Sequence, residues 1–220
     1  MVERKAGLGV CFDGDADRAL FADAAGSVVN GDAVLLLVAR DMKVRGSLAG
    51  DTVVATTMSN MGLEAALKRS GIRMLRAPVG DKYVLEEMQK CGAKLGGEQS
   101  GHIIFADQAT TGDGLLTALR VLEVMARSAK PLAELVADLK VFPQIITNVR
   151  VREKRPLEEI AEVARAIRDA ERQLDGNGRV VVRYSGTEPL ARVMVEAESE
   201  GEMRRHAEAI AAAIQKALGA

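Results

Sequence analysis

Residues 13–18 form an acidic loop in which three aspartates stand at alternate positions and an arginine, Arg18, follows the last. Carboxylates this close repel one another by roughly 1 kcal/mol per pair even in water. A bound cation removes this repulsion, and carboxylate oxygens suit Mg2+ or Ca2+. A guanidinium pairs well with phosphate. The loop therefore predicts a cation site beside a phosphate group, with Asp13, Asp15 and Asp17 as metal ligands.

Other kinds of acidic loop share part of this pattern. An EF-hand also begins with alternating acidic positions, but it requires glycine at its sixth position and glutamate at its twelfth. Arg18 and Ala24 occupy those positions, which excludes an EF-hand. A solvated acidic turn stays open, as does a haloacid-dehalogenase-type phosphatase in which Asp13 would be the nucleophile.

Residues 97–102, the histidine loop, join two apolar segments. Glycines in the loop allow its backbone to approach a ligand closely. Glu98, Ser100 and His102 stand at alternate positions and can project to one side, where they would form hydrogen bonds with sugar hydroxyl groups. A polar hairpin explains the loop equally well, and a lone buried histidine is more often structural than functional.

Residues 183–189, the arginine loop, combine small residues with a positive charge. Backbone N–H groups of a Ser-Gly-Thr turn form an anion-binding nest, and the hydroxyl groups add donors. The loop is not a Walker loop, because the G-x-x-x-x-G-K-[ST] pattern is absent. A plain β-turn with a surface arginine is the alternative. The candidate phosphate ligands are Arg183, Ser185, Gly186, Thr187 and, further along, Arg192.

Two further segments invite interpretation. Lys82 stands at the start of a predicted helix, and a lysine acts as an acid or base when its surroundings lower its pKa. Most lysines are only solvated surface charges. Residues 111–114 are adequately explained as a helix N-cap.

Together, the loops predict a metal, a transferable phosphoryl group, a polyol and a second phosphate, which describes a phosphosugar.

The composition excludes several other functions. Aromatic residues make up 3% of the chain and tryptophan is absent, which argues against base-stacking surfaces for nucleic acid. A net charge of -1 offers no electrostatic attraction to nucleic acid or acidic membranes. No apolar stretch approaches the ~20 residues of a membrane span. Cys11 and Cys91 are too few for a disulfide framework, so we expect buried, reduced thiols and a cytoplasmic location.

Strands and helices alternate along the first part of the chain, which predicts a layered α/β domain. The acidic loop follows a strand predicted to be buried, and the histidine loop joins the last two strands. Asp32 is the expected N-cap of the first helix. The strands are predicted at residues 8–12, 19–22, 52–56, 72–77, 94–97 and 102–106, and helices after Asp32 and at 63–69, 82–91 and 114–128.

Near Pro143 the order changes to β-α-β-β-α, which predicts a separate α+β domain. Its strands are expected at residues 145–151, 179–184 and 192–197, and its helices at 157–174 and 202–218. The arginine loop joins the second and third of these strands.

Five segments in this order make the chain resemble the α-D-phosphohexomutases: the acidic loop, residues 57–62, residues 79–84, the histidine loop and the arginine loop. The resemblance implies a phosphohexomutase-type three-layer α/β domain followed by a small α+β C-terminal domain. It assigns residues 1–30 to the end of family domain 2, residues 31–140 to domain 3 and residues 141–220 to domain 4. Since the family has four domains around a cleft, we expect the chain to be part of a longer protein.

The resemblance also implies roles for the candidate residues. The three aspartates would bind Mg2+ as the cofactor, and Arg18 would contact the transferring phosphoryl group. Lys82 would assist proton transfer, with His102 close by as a further catalytic candidate. Glu98 and Ser100 would bind sugar hydroxyls, while the arginine-loop candidates and Arg192 would hold the phosphate that is not transferred.

The implied reaction interconverts a hexose 6-phosphate and 1-phosphate through a bisphosphate. Flanking segments favour glucosamine phosphate over mannose or glucose phosphates. The family's phosphoserine loop, of the type Ser-His-Asn-Pro, is absent, and Ser100 belongs to the histidine loop instead. We therefore expect the chain alone to be inactive and its partners to be the missing N-terminal domains. A homodimer and a non-catalytic phosphosugar-binding module both stay open.

Overall fold

Residues 1–140 and 141–220 form two compact units in the computed structural model, which describes residues 1–185 and 188–220. The change from one unit to the other falls close to Pro143, where the sequence pattern changes. None of the helices in the described residues is long and apolar enough to cross a membrane.

A small antiparallel sheet carries the acidic loop. It contains β1 (Gly9–Phe12), β2 (Ala19–Ala22) and β3 (Val28–Val29) in that order. Phe12 pairs with Ala19, so the acidic loop closes the first hairpin.

The prediction that β1 and its thiol are buried is wrong. Phe12 is 41% exposed, and Cys11 is also exposed. An apolar strand is buried only when another element covers it, and no element within residues 1–140 covers β1.

The larger sheet of the first unit contains β4 (Thr52–Thr56), β5 (Arg73–Ala77), β6 (Leu95–Gly97) and β7 (Ile103–Phe105). Their order in the sheet is β5-β4-β6-β7. Its first three strands are parallel, and β7 runs antiparallel to β6. Both faces of the sheet are covered, because Val53 of β4 packs in one apolar core and the next residue, Val54, packs in another.

Helices form the outer layers on both sides of this sheet. The larger core includes side chains of the first, second and fourth helices, whereas Val84 and Met88 of the third belong to the other core. The predicted three-layer α/β architecture is therefore confirmed. The helices are α1 (Gly31–Val44), α2 (Met61–Arg69), α3 (Asp81–Cys91), α4 (Gly114–Ser128) and a short α5 (Leu132–Val136), which the sequence pattern did not predict.

The prediction that Asp32 caps α1 is wrong. The N-cap is Asn30, whose side chain accepts a hydrogen bond from the Ala33 N–H at 3.3 Å. Asp32 lies inside the first turn and is 2% exposed. Both residues favour helix starts, so residue type alone could not decide between them.

The second unit is an antiparallel sheet with two helices against one face. The strands are β8 (Gln144–Arg150), β9 (Gly178–Tyr184) and β10 (Leu190–Ala197), in the order β8-β10-β9. Helices α6 (Ala161–Leu174) and α7 (Glu200–Leu218) share an apolar core with β10. The predicted α+β domain is confirmed. Helix α6 starts later than predicted, because Leu157–Glu159 forms a separate 3-10 turn and Ile160 is extended.

Candidate active site

The acidic loop gathers its three aspartates in one place. One carboxylate oxygen from each of Asp13, Asp15 and Asp17 lies within 4.8 Å of the others. Ala16 turns the backbone with a φ of 58°, in the left-handed region that non-glycine residues rarely adopt. Its carbonyl accepts a hydrogen bond from the Gly114 N–H at 2.9 Å. The start of α4 therefore supports the turn that brings the charges together.

The acidic loop has the donor set of a hard divalent cation. The Arg18 Nε lies 3.7 Å from Asp13 Oδ2 and 3.8 Å from Asp17 Oδ1, so it balances only part of the negative charge. Three carboxylate oxygens also leave room for the other ligands of Mg2+, which takes about six and usually keeps several waters. The residues present therefore fit a Mg2+ site that leaves ligand positions for water or a phosphate oxygen.

The histidine loop joins β6 to β7 in a tight turn. The Glu98 N–H donates to the His102 carbonyl at 2.9 Å, and the Gly101 N–H donates to the Glu98 carbonyl at 3.0 Å. The Ser100 hydroxyl donates to Glu98 Oε2 at 3.2 Å, so these two side chains meet. The other Glu98 oxygen accepts from the Gly80 N–H at 3.0 Å, directly before α3. Glu98 thus connects the histidine loop to the segment that carries Lys82.

Lys82 lies in the first turn of α3, with a side chain that is 75% exposed. Its Nζ lies 3.8 Å from Glu86 Oε1, one helical turn further on. The structure therefore brings the backbone near Lys82 to the histidine loop, while the ammonium group lies beside a surface carboxylate.

His102 joins the histidine loop to the acidic loop. The residue is 3% exposed, and its Nδ1 lies 3.1 Å from Asp17 Oδ2. Its Nε2 accepts a hydrogen bond from the Gly112 N–H at 2.9 Å. The histidine loop also contacts the strand that follows the acidic loop, since the Ala19 N–H of β2 donates to the Gly101 carbonyl at 3.1 Å. Two loops far apart in the sequence are thus in contact.

Sequence reasoning missed most of what residues 111–114 do. Their interpretation as an N-cap is confirmed, since Asp113 accepts from the Leu116 N–H at 2.9 Å. Gly112 also packs so tightly on His102 that a Cβ atom would lie 2.6 Å from the imidazole ring. The two glycines flanking Asp113 were the available signal, because close backbone contact requires glycine.

Asp32 is a second contributor that sequence reasoning missed. Its Oδ2 accepts from the Asn60 N–H at 2.8 Å and from the Gln99 side-chain amide at 3.3 Å. Gln99 is also held through its carbonyl, which accepts from the Gly31 N–H at 3.0 Å. Burial raises the pKa of Asp32, although these hydrogen bonds and the charge of Arg76 oppose the shift. Asp32 therefore fixes the histidine loop to the starts of α1 and α2.

The arginine loop lies between β9 and β10 of the second unit. The Ser185 N–H donates to the Leu190 carbonyl at 2.8 Å, and the Ser185 hydroxyl accepts from the Glu188 N–H at 3.3 Å. The Lys154 ammonium donates to the Ser185 carbonyl at 2.6 Å. Gly186 and Thr187 lie outside the described residues.

Two arginines stand directly opposite each other at the base of this loop. Arg183 of β9 pairs with Arg192 of β10 in the strand register. Arg192 Nη2 lies 3.2 Å from a Glu188 oxygen, but its buried Nε has no partner among the described residues. Like charges directly opposite each other on neighbouring strands are destabilising. An anion bound between them would relieve the repulsion, and the loop therefore suits a phosphate.

Comparisons with known proteins match the chain to one family. Residues 30–142 match phosphoglucomutase/phosphomannomutase, alpha/beta/alpha domain III, and residues 146–213 match the C-terminal domain of the same family. Phosphoglucosamine mutase from Koribacter versatilis is 74% identical over 96% of the chain, and that from Solibacter usitatus is 57% identical over 100% of it. The chain spans about half the length of these relatives, 46% and 49% respectively.

Solved structures with the same fold come from bacteria and fungi. A phosphoglucomutase/phosphomannomutase family protein from Burkholderia thailandensis has a TM-score of 0.71 at 25% identity, covering 96% of this chain and 47% of that protein. N-acetylphosphoglucosamine mutase from Aspergillus fumigatus, in complex with GlcNAc-6P and magnesium, has a TM-score of 0.68 at 22% identity, covering 94% and 48%.

Proposed function

Because the chain belongs to the phosphoglucomutase/phosphomannomutase family, we propose that it carries the metal, sugar and distal phosphate sites of a phosphoglucosamine mutase. Such an enzyme interconverts glucosamine 6-phosphate and glucosamine 1-phosphate through a bisphosphate intermediate. The amino-sugar substrate is proposed because the two relatives at 74% and 57% identity are both phosphoglucosamine mutases. Phosphomannomutase or phosphoglucomutase activity is the alternative.

The observation that carries this proposal is the junction between the acidic loop and the histidine loop. Asp17 and His102 are far apart in the sequence, yet their side chains are 3.1 Å apart. This contact supports the proposal that a cation site lies beside a loop of polyol-binding type.

Asp13, Asp15 and Asp17 would hold Mg2+ in the working enzyme. A bound Mg2+ stabilises the negative charge that develops on a transferring phosphoryl group. Arg18 stands beside the same carboxylates and can pair with two phosphoryl oxygens at once. Its side chain is 48% exposed, so it can reach a ligand without first breaking a buried contact.

The sugar would be bound by Glu98 and Ser100 of the histidine loop. Their side chains lie within 3.2 Å of each other, so adjacent hydroxyl groups of one ring can meet both. A bisphosphate that turns over in the site must be held in two orientations. Contacts to hydroxyl groups suit both orientations better than contacts to a single amino group.

Arg183, Ser185, Gly186, Thr187 and Arg192 would bind the phosphate that is not transferred. This assignment is supported by the two arginines that face each other across β9 and β10 and by the loop's resemblance to an anion nest. Fixing the distal phosphate fixes the geometry of the reacting one, which is a large part of phosphoryl-transfer catalysis. Lys82 stays the proposed proton-transfer residue, although its ammonium group lies beside Glu86 in the first unit.

The partner would be the rest of the family fold, which supplies the phosphoserine. The exposed apolar side chains of β1 and β2 support this, because Val10, Phe12 and Leu20 are each more than a third exposed. Relatives about twice as long have a further half that can cover these strands. The cytoplasm stays the proposed location, consistent with two free cysteines.

The test joins this chain to the N-terminal half of the Koribacter versatilis enzyme in one polypeptide. We expect the fusion to convert glucosamine 6-phosphate to glucosamine 1-phosphate, observed by phosphorus NMR, and the unfused chain to do nothing. A fusion with Asp13→Asn and Asp15→Asn is the control and should be inactive. A folded fusion that binds substrate without turnover would indicate a non-catalytic module. Release of inorganic phosphate by the unfused chain would indicate a phosphatase.

A further inference from the structure

The hydrogen bonds of His102 determine where its proton lies. The Gly112 N–H can only donate, so Nε2, 2.9 Å away, must be an unprotonated acceptor. A neutral imidazole then carries its proton on Nδ1. Nδ1 faces Asp17 Oδ2 at 3.1 Å and therefore donates to that carboxylate.

We propose that His102 is a positioning residue that holds the Asp17 carboxylate in its metal-binding orientation. The proposal rests on the function proposed above for the acidic loop and adds to it the residue that sets the geometry of one ligand. Carboxylates that bind metals are commonly fixed by hydrogen-bonding partners behind them, and loss of such a partner lowers metal affinity. Here the partner belongs to the histidine loop, so the loop that would bind the sugar also orients the metal site.

The surroundings of His102 hold its ring in place. Both ring nitrogens are engaged, Nδ1 with the Asp17 carboxylate and Nε2 with the Gly112 N–H. The residue is 3% exposed, so little solvent reaches the ring. Gly112 also closes one side of the ring, since a Cβ atom there would lie 2.6 Å from it. The imidazole is therefore held in one orientation against Asp17.

Two substitutions separate the two hydrogen bonds. In His102→Asn, the amide nitrogen can take the place of Nδ1 and still donate to Asp17, while the contact to Gly112 is lost. In His102→Gln, the longer side chain can reach the place of Nε2 and accept from Gly112, while the donor to Asp17 is lost. The probe is Mn2+ as a substitute for Mg2+, titrated against the 220-residue chain and followed by electron paramagnetic resonance.

We expect His102→Gln to weaken Mn2+ binding by about 10-fold or more, within the 10–100-fold range typical of such partners. His102→Asn should stay within about threefold of the wild type, because the donor is retained. His206 provides a matched control: it is 5% exposed in α7, and the same two substitutions there should leave Mn2+ binding unchanged. Equal Mn2+ affinities for His102→Gln and the wild type, or equal losses in both His102 variants, would overturn the proposal.

A measurement on the unmodified chain covers the case in which a variant does not fold. Long-range proton–nitrogen NMR distinguishes the two tautomers of each histidine, and we expect His102 to carry its proton on Nδ1. A proton on Nε2 would overturn the proposal. If the wild type binds Mn2+ no better than an Asp13→Asn, Asp15→Asn variant, the metal site itself is refuted. If the wild type binds Mn2+ but the His102 variants do not show the expected losses, the positioning role of His102 is refuted and the metal site is not.

Discussion

The acidic and histidine loops of the first unit are supported differently from the arginine loop of the second. Hydrogen bonds from four elements hold the acidic and histidine loops. Two of these elements are β2, through Ala19, and the start of α4, through Gly112 and Gly114. The other two are the start of α1, through Gly31, and the turn before α3, through Gly80. The arginine loop is the end of a single hairpin. It is supported by its own strands, by Lys154 at the Ser185 carbonyl and by the Tyr184 hydroxyl, which donates to the Arg155 carbonyl at 2.6 Å.

This difference matches the chemistry proposed for each place. A metal site needs ligands at fixed distances, and fixing them in advance avoids reorganisation during the reaction. A phosphate can be recognised by a few charged groups on a hairpin, as Arg183 and Arg192 are arranged. Four separate elements therefore position the first site, whereas one hairpin and the segment at residues 154–155 support the described part of the second. Four predictions test this contrast.

The largest effect on stability is expected from Glu196→Ala in the second unit, outside the arginine loop. Arg179 Nε lies 2.7 Å from Glu196 Oε2, and the glutamate side chain is 0% exposed. Glu196→Ala removes this partner from the Arg179 guanidinium, whose side chain is 15% exposed, and the loss costs about 3 kcal/mol. Calorimetry should show a lower melting temperature for the second unit. Mn2+ binding by the acidic loop should not change, and a parallel loss of it would contradict the separate origins of the two sites.

Gly112→Ala should disturb the first unit next most strongly. A Cβ atom 2.6 Å from the His102 ring forces the ring or the backbone to move, and such overpacking costs about 1–3 kcal/mol. We expect a lower unfolding free energy in denaturant titration, together with weaker Mn2+ binding. Gly7→Ala is the matched control, because nothing lies within 4 Å of its Cβ position. Identical stability for the two variants would show that the ring is not tightly enclosed.

Substitutions in the two units should affect phosphosugar binding unequally. Arg183→Ala removes a charge that no described residue pairs with, so binding of glucosamine 6-phosphate should weaken about tenfold, or ~1.5 kcal/mol. Lys82→Ala removes a mostly exposed ammonium and should weaken binding less than about threefold. Calorimetric titration measures both variants. Equal losses would mean that the proposed phosphate site is not specific.

The smallest effect is expected in the pH dependence of the unfolding free energy, to which Asp32 contributes. Because burial raises its pKa above 3.8 in the folded state, the unfolded chain ionises this group first as the pH rises. This group therefore lowers the unfolding free energy of the first unit as the pH rises from about 3.8 through the folded-state pKa. Asp32→Asn should lack this contribution. The wild-type and Asp32→Asn stabilities should diverge across that range, and parallel curves would contradict the raised pKa.

Much of the fold could be predicted, because its signals are local. The strand at Thr52–Thr56 and the helix at Gly114–Ser128 follow from β-branched residues and from a capped apolar pattern. The burial of β1 could not be predicted, because it depends on what covers the strand. Asn30 and Asp32 are equally good helix starters, so the choice between them depends on tertiary contacts.

The site was predictable in its residue types but not in its connections. The aspartate spacing points to a cation without any structure, since the repulsion is visible in the sequence. The contact between Asp17 and His102 was not visible, because 85 positions separate them and neither residue alone indicates the other. Gly112 and Asp32 were missed for the same reason, since each acts through a backbone or buried contact that only the folded chain creates.

The hydrogen bonds of Glu98 also affect how a sugar could bind to the histidine loop. A carboxylate can accept about four hydrogen bonds, and Glu98 already accepts two, from Gly80 and Ser100. Two acceptor positions are left for the hydroxyl groups of a sugar. A sugar could therefore bind to Glu98 without breaking the hydrogen bond from Gly80, which precedes α3. The Glu98 carboxylate can thus keep the histidine loop attached to the segment before α3 while it also binds and releases a sugar.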